Sequence, residues 1–259
     1  MSATPLQLSA EQVRQYRDEG YVVLGKVLTD DDIAELLVEE ERLRPPQGYG
    51  AEGNRTLVVS MQHCHRSAPV RRVCTSGGQV PLVVQLLGPD VCLTHNQFLT
   101  KLPDAADTHS DIPMHQDNGY GRLEPPDDIT VWIALTEANR RNGGLHVVPG
   151  SHRLGLVEHD TAGVNPALRE VATAVAPVAV DLGPGEALAF TGMTLHGSGP
   201  NLTAAPRTAF YARYCAPNVR MMSEGGRPVL DDPHSWMVAG QARADEAGTA
   251  PVFGEPRVS

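Results

Sequence analysis

From Val91 onward the chain breaks into short runs of β-branched and aromatic residues punctuated by Gly, Pro, Asn and Asp. An antiparallel sandwich or barrel imposes this texture, because each strand is brief and each connection turns tightly. In "DDITVWIALTEA", Ile129, Val131, Ile133 and Leu135 fall on one face and Thr130, Trp132 and Ala134 on the other, the period of a pleated strand. The segments "GGLHVVPGSH", "EALAFTG", "TLHGSG" and "RTAFYARYCAP" supply further strands.

The first third reads differently. Ser9 followed by Gln12 makes a capping box and Gly20 a stop, so "SAEQVRQYRDEG" is a short helix. "YVVLGKV" follows as a strand. Thr29 precedes three Asp whose charges favour a helix N-terminus, and Ile33, Leu36, Leu37 and Leu43 continue at helical spacing. Residues 44 to 79 are expected to be irregular, and "VPLVVQLLG" to form a helix ending at Gly88. With 259 residues and no linker or repeat, a single domain over 1–259 is expected. It would comprise a helical part over about 1–90, a β core over about 91–220 and a tail over about 221–259.

Bulk properties narrow the partners. A net charge of −10 with scattered Lys and Arg repels phosphate backbones, which argues against nucleic acid and against a polyanionic coenzyme A thioester. No run of 18 apolar residues offers a membrane span, and the N-terminus has no basic region followed by an apolar stretch. Cys64, Cys74, Cys92 and Cys215 form no C-x-x-C pair, so buried, reduced thiols and a cytoplasmic location are expected.

"DTHSDIPMHQDNGY" holds His-x-Asp twice, as His109 with Asp111 and His115 with Asp117. Ten His and 16 Asp in 259 residues give roughly 0.6 such pairs by chance, so the pattern alone proves little. On a strand, residues i and i+2 share one face, and His196 in "GMTLHGSGPN" lies in a further β segment that returns a third donor. Two neutral imidazoles and one carboxylate suit non-haem Fe(II) and leave three positions open. Spacing leaves the choice between the two pairs undecided.

Three segments in order, "KLPDAADTHSDIPMHQD", "VWIALTEANRRNGGLHVVPGSHR" and "HGSGPNLTAAPRTAFYARY", resemble the phytanoyl-CoA dioxygenase family of Fe(II)/2-oxoglutarate-dependent oxygenases. The resemblance runs from about Lys101 to Arg213 and implies a double-stranded β-helix, or jelly-roll, core of the cupin kind with flanking helices. It implies that iron binds His115, Asp117 and His196, leaving His109 and Asp111 in the preceding loop. It also implies that Arg207 grips the far carboxylate of 2-oxoglutarate, where a guanidinium fork is well matched. Ser198 would assist, and Lys101, Gln97 and Trp132 would line or adjoin that pocket.

The chemistry so implied couples O2 and 2-oxoglutarate to attack on an unactivated C–H bond of a small metabolite, releasing succinate and carbon dioxide. Halogenating members carry a small residue in place of the carboxylate; Asp117 therefore points to hydroxylation. Epimerisation, desaturation, cyclisation and epoxidation use the same centre. The acidity favours an amino acid derivative or a secondary-metabolite scaffold over a fatty acyl-CoA. A non-oxygenase cupin-type metal-binding protein is the reading from another class; it would need neither Arg207 nor Ser198. An intact triad argues against a sensor that has lost catalysis.

Several residues stay open on sequence grounds. Arg213 shares strand parity with Arg207 and could anchor substrate or form a structural pair. Trp132 is a core aromatic by default. His146 and His152 belong to a turn-rich stretch set by Asn142, Gly143, Gly144 and Gly150. His63, His65, Arg55, Arg66 and Met221 are candidates for shaping substrate specificity.

Overall fold

The computed structural model describes residues 6–45, 56–104, 110–157, 159, 175–223, 226, 231–232, 236–241 and 252–253. Helix α1 (Ala10–Glu19) starts at a Ser9 capping box closed by Gln12 and stops at Gly20 in the left-handed region, φ 81°. Strand β1 (Tyr21–Lys26) follows, and α2 (Asp30–Leu43) begins at a second capping box between Thr29 and Asp32. These caps satisfy backbone N–H groups that a helix start otherwise leaves unpaired.

Residues 44 to 79 depart from the irregular segment expected. Leu57–Met61 forms strand β2 along the edge of β3 (Val91–Lys101), and Ala68–Ser76 forms helix α3, capped by the Ser67 side chain. The alternation in β2 is blurred because Val58 and Ser60 are both buried, the Ser60 hydroxyl donating to Leu43 O at 2.9 Å. A buried polar residue in an edge strand hides the two-residue period on which sequence reading relies. Helix α4 (Gln79–Leu87) ends at Gly88 as expected.

Beyond α4 the chain is largely antiparallel sheet. After β3 come β4 (Ile112–His115), the one-turn helix α5 (Asp117–Tyr120), β5 (Leu123–Glu124), β6 (Asp128–Ala134), β7 (Leu145–Val147) and β8 (Val178–Ala179). Next are β9 (Glu186–Thr191), β10 (His196–Ser198), β11 (Arg207–Cys215) and β12 (Arg220–Met221). The last are β13 (Asp231–Asp232), β14 (Trp236–Ala239) and β15 (Val252–Phe253). The larger sheet runs β1-β9-β6-β11-β3-β14, with β2 also on β3; the smaller runs β4-β10-β7-β8. Together they make the expected jelly roll. β5 pairs β12, and β13 lies parallel to β15.

Both faces of the larger sheet are covered. Ile129, Val131 and Ile133 of β6 pack with Val22, Phe210 and Ala212 against Leu36, Val73 and Leu82 of the helices. Trp132 and Ala134 face the other way, joining Leu188, Phe190 and Ala209 against Leu145, Val147, Val180 and Leu182 from the side of the smaller sheet. Every residue of β6 is buried, as a strand between two apolar layers must be. No described helix is long and apolar enough to cross a membrane.

Two strand registers bring distant polar side chains together: His196 of β10 lies opposite His115 of β4, and Arg207 of β11 lies opposite Lys101 of β3. Gly197 makes the first possible. A Cβ there would sit 2.9 Å from Ile112 O and 3.1 Å from Met114 N, both backbone atoms of β4. Gly197→Ala is therefore expected to push the two strands apart and cost about 1–3 kcal/mol, read as a lower urea midpoint at unchanged slope.

Candidate metal centre

Strand β4 stops at His115, and Asp117 is the first residue of α5. The two side chains are therefore not brought together by the pleat of one strand, as the His-x-Asp spacing suggested, but by the bend from strand into helical turn. One donor atom each from His115, Asp117 and His196 lies within 4.8 Å of the others. Asp117 Oδ1 is 3.8 Å from His115 Nε2 and 3.5 Å from His196 Nε2.

Protonation follows from the outward-facing nitrogens. His115 Nδ1 lies 2.8 Å from Pro113 O, and His196 Nδ1 lies 3.0 Å from Thr194 O. A carbonyl only accepts, so each Nδ1 carries a proton and each Nε2 is the nitrogen turned toward Asp117, the arrangement found behind metal-bound imidazoles. Burial, with His196 adding to it, pushes the His115 pKa down to about 4. Burial would raise the Asp117 carboxyl, but His196, Arg213, His115 and the Thr130 hydroxyl outweigh it and leave it at about 2. A neutral His115 imidazole beside an ionised Asp117 carboxylate is what a divalent metal requires of these two groups.

The residues between and after His115 and Asp117 are pinned. Gln116 is wholly buried: its amide donates to Gly155 O and Met193 O and accepts from Val157 N. Its backbone N–H donates to His159 Nε2 at 2.9 Å. Asn118 donates to Asp128 and accepts from Leu123 N and from Arg213. Arg213 Nε donates to Asp128 Oδ2 at 2.7 Å, which settles it as a structural pair that holds α5 rather than a free cation awaiting substrate. Sequence reading missed Gln116, Asn118, Asp128 and His159, since nothing in their spacing distinguishes a buried amide or acid from an exposed one.

The expected anion site is a second cluster. Arg207, fully buried on β11, donates to Gly143 O at 2.8 Å and to Leu99 O at 3.5 Å, while its Nε has no partner. Its guanidinium carbon lies 5.4 Å from the centroid of the Trp132 ring. Lys101, opposite it, donates to Ser198 Oγ and Gly199 O, each at 2.6 Å. Burial pushes Arg207 down to about 9, and burial followed by Arg207 pushes Lys101 down to about 6. No described carboxylate pairs with either, so two buried basic groups stand without a counter-ion among the described residues, and Lys101 sheds its proton near neutral pH unless an anion joins it.

A cavity of about 590 Å³ opens beside His115, Asp117 and His196. His115, Asp117, His196, Ser198, Gln97 and Trp132 all line it, whereas Arg207 and Lys101 do not and touch it through Trp132 and Ser198. Leu57, Val59 and Met61 of β2, with Leu123 and Met221, give it apolar lining. Met221 thus reaches the cavity. His63 instead bonds Ser60 Oγ, His65 accepts from Trp236 Nε1, and Arg66 and Asp111 are exposed. Gly143 and Gly150 turn the chain around His146 and His152, which stay outside the site, His152 bonding Arg17 O. His109 and Arg55 lie outside the described residues.

The family model described as "Phytanoyl-CoA dioxygenase (PhyH)" matches residues 16–209. The peroxisomal phytanoyl-CoA dioxygenase of Rattus norvegicus is 28% identical over 244 residues, spanning 85% of this chain and 72% of that protein. Two solved structures share the fold at 23% identity. One is the non-heme alpha ketoglutarate dependent carbocyclase SnoK of nogalamycin biosynthesis, with TM-score 0.77 over 92% of this chain and 100% of that one. The other is the epimerase SnoN in complex with Fe3+, alpha ketoglutarate and nogalamycin RO, with TM-score 0.75 over 95% and 96%.

These electrostatics set two expectations. An imidazole that stays neutral to about pH 4 in the fold but titrates near 6.5 when unfolded leaves the unfolded chain binding more protons between those values. Stability of the metal-free protein should fall as pH drops from about 6.5 to about 4, by at most roughly 3 kcal/mol, and His115→Gln should flatten that fall in denaturant titrations. A small dicarboxylate such as glutarate should stabilise the metal-free protein, by about 1.4 kcal/mol at ten times its Kd. Arg207→Met should abolish that gain in thermal melts.

Proposed function

Because this chain belongs to the phytanoyl-CoA dioxygenase family of Fe(II)/2-oxoglutarate-dependent oxygenases, we propose that His115, Asp117 and His196 hold its iron and that Arg207, Ser198 and Lys101 seat 2-oxoglutarate. The convergence of the three donor atoms on one wall of the cavity carries this reading. The donor set fits the metal: two imidazole nitrogens and one carboxylate oxygen suit Fe(II) while leaving positions for a chelating co-substrate and O2. The unpartnered Nε of Arg207 and the uncompensated charge beside it fit a carboxylate.

Iron with 2-oxoglutarate and O2 supplies an oxidant for a C–H bond and releases succinate and carbon dioxide. The chain's own contribution is placement. The Arg207 fork and the Lys101 ammonium neutralise and orient the co-substrate's far carboxylate, with the Ser198 hydroxyl between Lys101 and the ligand strand. The Trp132 ring packs beside the guanidinium, and Gln97, two strands away from that ring, offers an amide at the cavity wall. Leu57, Val59, Met61, Leu123 and Met221 keep water from the reacting centre.

The substrate is proposed to be a small metabolite, an amino acid derivative or a secondary-metabolite scaffold, held against that apolar lining. Hydroxylation is the first assignment, given Asp117. Epimerisation, desaturation and cyclisation need only a different placement of the same substrate carbon. A non-oxygenase cupin-type metal protein has no use for a buried Arg207–Lys101 pair, which favours the oxygenase. The four cysteines are buried free thiols, in keeping with the proposed cytoplasmic location.

Anaerobic titration with Fe(II) and 2-oxoglutarate is expected to give a weak visible charge-transfer band that His196→Ala abolishes and Arg207→Ala moves to much higher 2-oxoglutarate concentration. A wild-type protein without the band would overturn the assignment. An oxygen-dependent succinate assay over a metabolite panel then identifies the substrate.

A further inference from the structure

Asp117 has two oxygens, and the fold uses them differently. Oδ1 is the atom beside both histidine Nε2 nitrogens. Oδ2 accepts a hydrogen bond of 2.6 Å from the hydroxyl of Thr130. We propose that Thr130 is a positioning residue that keeps Asp117 a one-oxygen ligand and so preserves an open coordination position. This inference rests on the assignment of His115, Asp117 and His196 as metal ligands.

Thr130 is well placed for such a task. It sits on β6, paired on one side with Phe190 of β9 and on the other with Arg213 of β11. A strand bonded along both edges has little freedom to shift, and a β-branched side chain is stiff about its first torsion. The residue is 1% exposed, so water does not compete for the bond. A hydrogen bond from a hydroxyl to a buried carboxylate is charge-assisted and strong, and breaking it would leave Oδ2 unsatisfied.

The geometric consequence is specific. For Asp117 to chelate a metal through both oxygens, Oδ2 would have to leave Thr130 and turn toward the histidines. The second oxygen would then take a position that the co-substrate or O2 requires. Thr130 also lines the cavity, yet its one proton is committed to Asp117, so it has none to donate to a substrate.

Co(II) is a suitable probe, because its visible absorption reports coordination and the measurement needs no turnover. Thr130→Val keeps the shape and deletes the donor. It is expected to weaken Co(II) binding about 10- to 100-fold and to change the visible spectrum of the bound metal, a readout that the lower melting temperature expected from an unsatisfied Oδ2 would not by itself produce. Thr130→Ser restores the hydroxyl and should recover both affinity and spectrum. A valine variant with wild-type affinity and spectrum overturns the proposal, as does a serine variant as impaired as valine. Thr130→Ala gives the same reading should valine not fold. A wild-type protein that binds no Co(II) removes the metal centre itself, a failure distinct from that of Thr130.

Discussion

The antiparallel pairing of β4 with β10 turns scattered residues into a site. It sets His196 opposite His115 across 81 residues of chain, and it depends on a glycine between the strands where any side chain would strike backbone. Because β10 is paired on its other edge by β7, the position of His196 is fixed from both sides. Asp117 joins the pair from the helical turn that follows β4, and the burial of Gln116 between His115 and Asp117 locks that turn.

The electrostatic layout is costly for the unliganded fold and useful for function. Arg207 and Lys101 face each other in paired strands, bonded only to carbonyls and a serine hydroxyl. Leaving buried cations without an anion destabilises a protein, and residues that weaken the empty state in this way cluster where a ligand completes them. The three proposed metal ligands are oriented in the same way before any metal arrives, His115 and His196 by hydrogen bonds to carbonyls and Asp117 by one from Thr130. Arg213, by contrast, is fully matched by Asp128 and Asn118, and its work is to brace α5.

The two sheets divide the labour. The helices cover one face of the larger sheet with aliphatic residues and make the stable body of the fold. The other face carries the functional row: Thr130, Trp132, Gln97, Arg207 and Arg213 all point from it toward the cavity or the anion site. Alternation along β6 and β11 thus separates packing from chemistry within single strands.

Much of this was written in the sequence. The capping boxes at Ser9 and Thr29, the glycine stops at Gly20 and Gly88, and the alternation in 128–134 are local signals, and local physics decides them. The order of "HQD", "HGSGPN" and the following arginine carried the family, and His115, Asp117 and His196 do converge in the fold. What the sequence did not carry was anything dependent on a distant neighbour. Edge strand β2 was hidden because the burial of Ser60 depends on Leu43 and His63. The role of Arg213 depended on where Asp128 and Asn118 came to lie, and the second oxygen of Asp117 found Thr130 only through the fold. Spacing along the chain fixes which residues share a face of one element, whereas hydrogen bonds between elements, and hence the coordination a carboxylate can offer, exist only once those elements have packed.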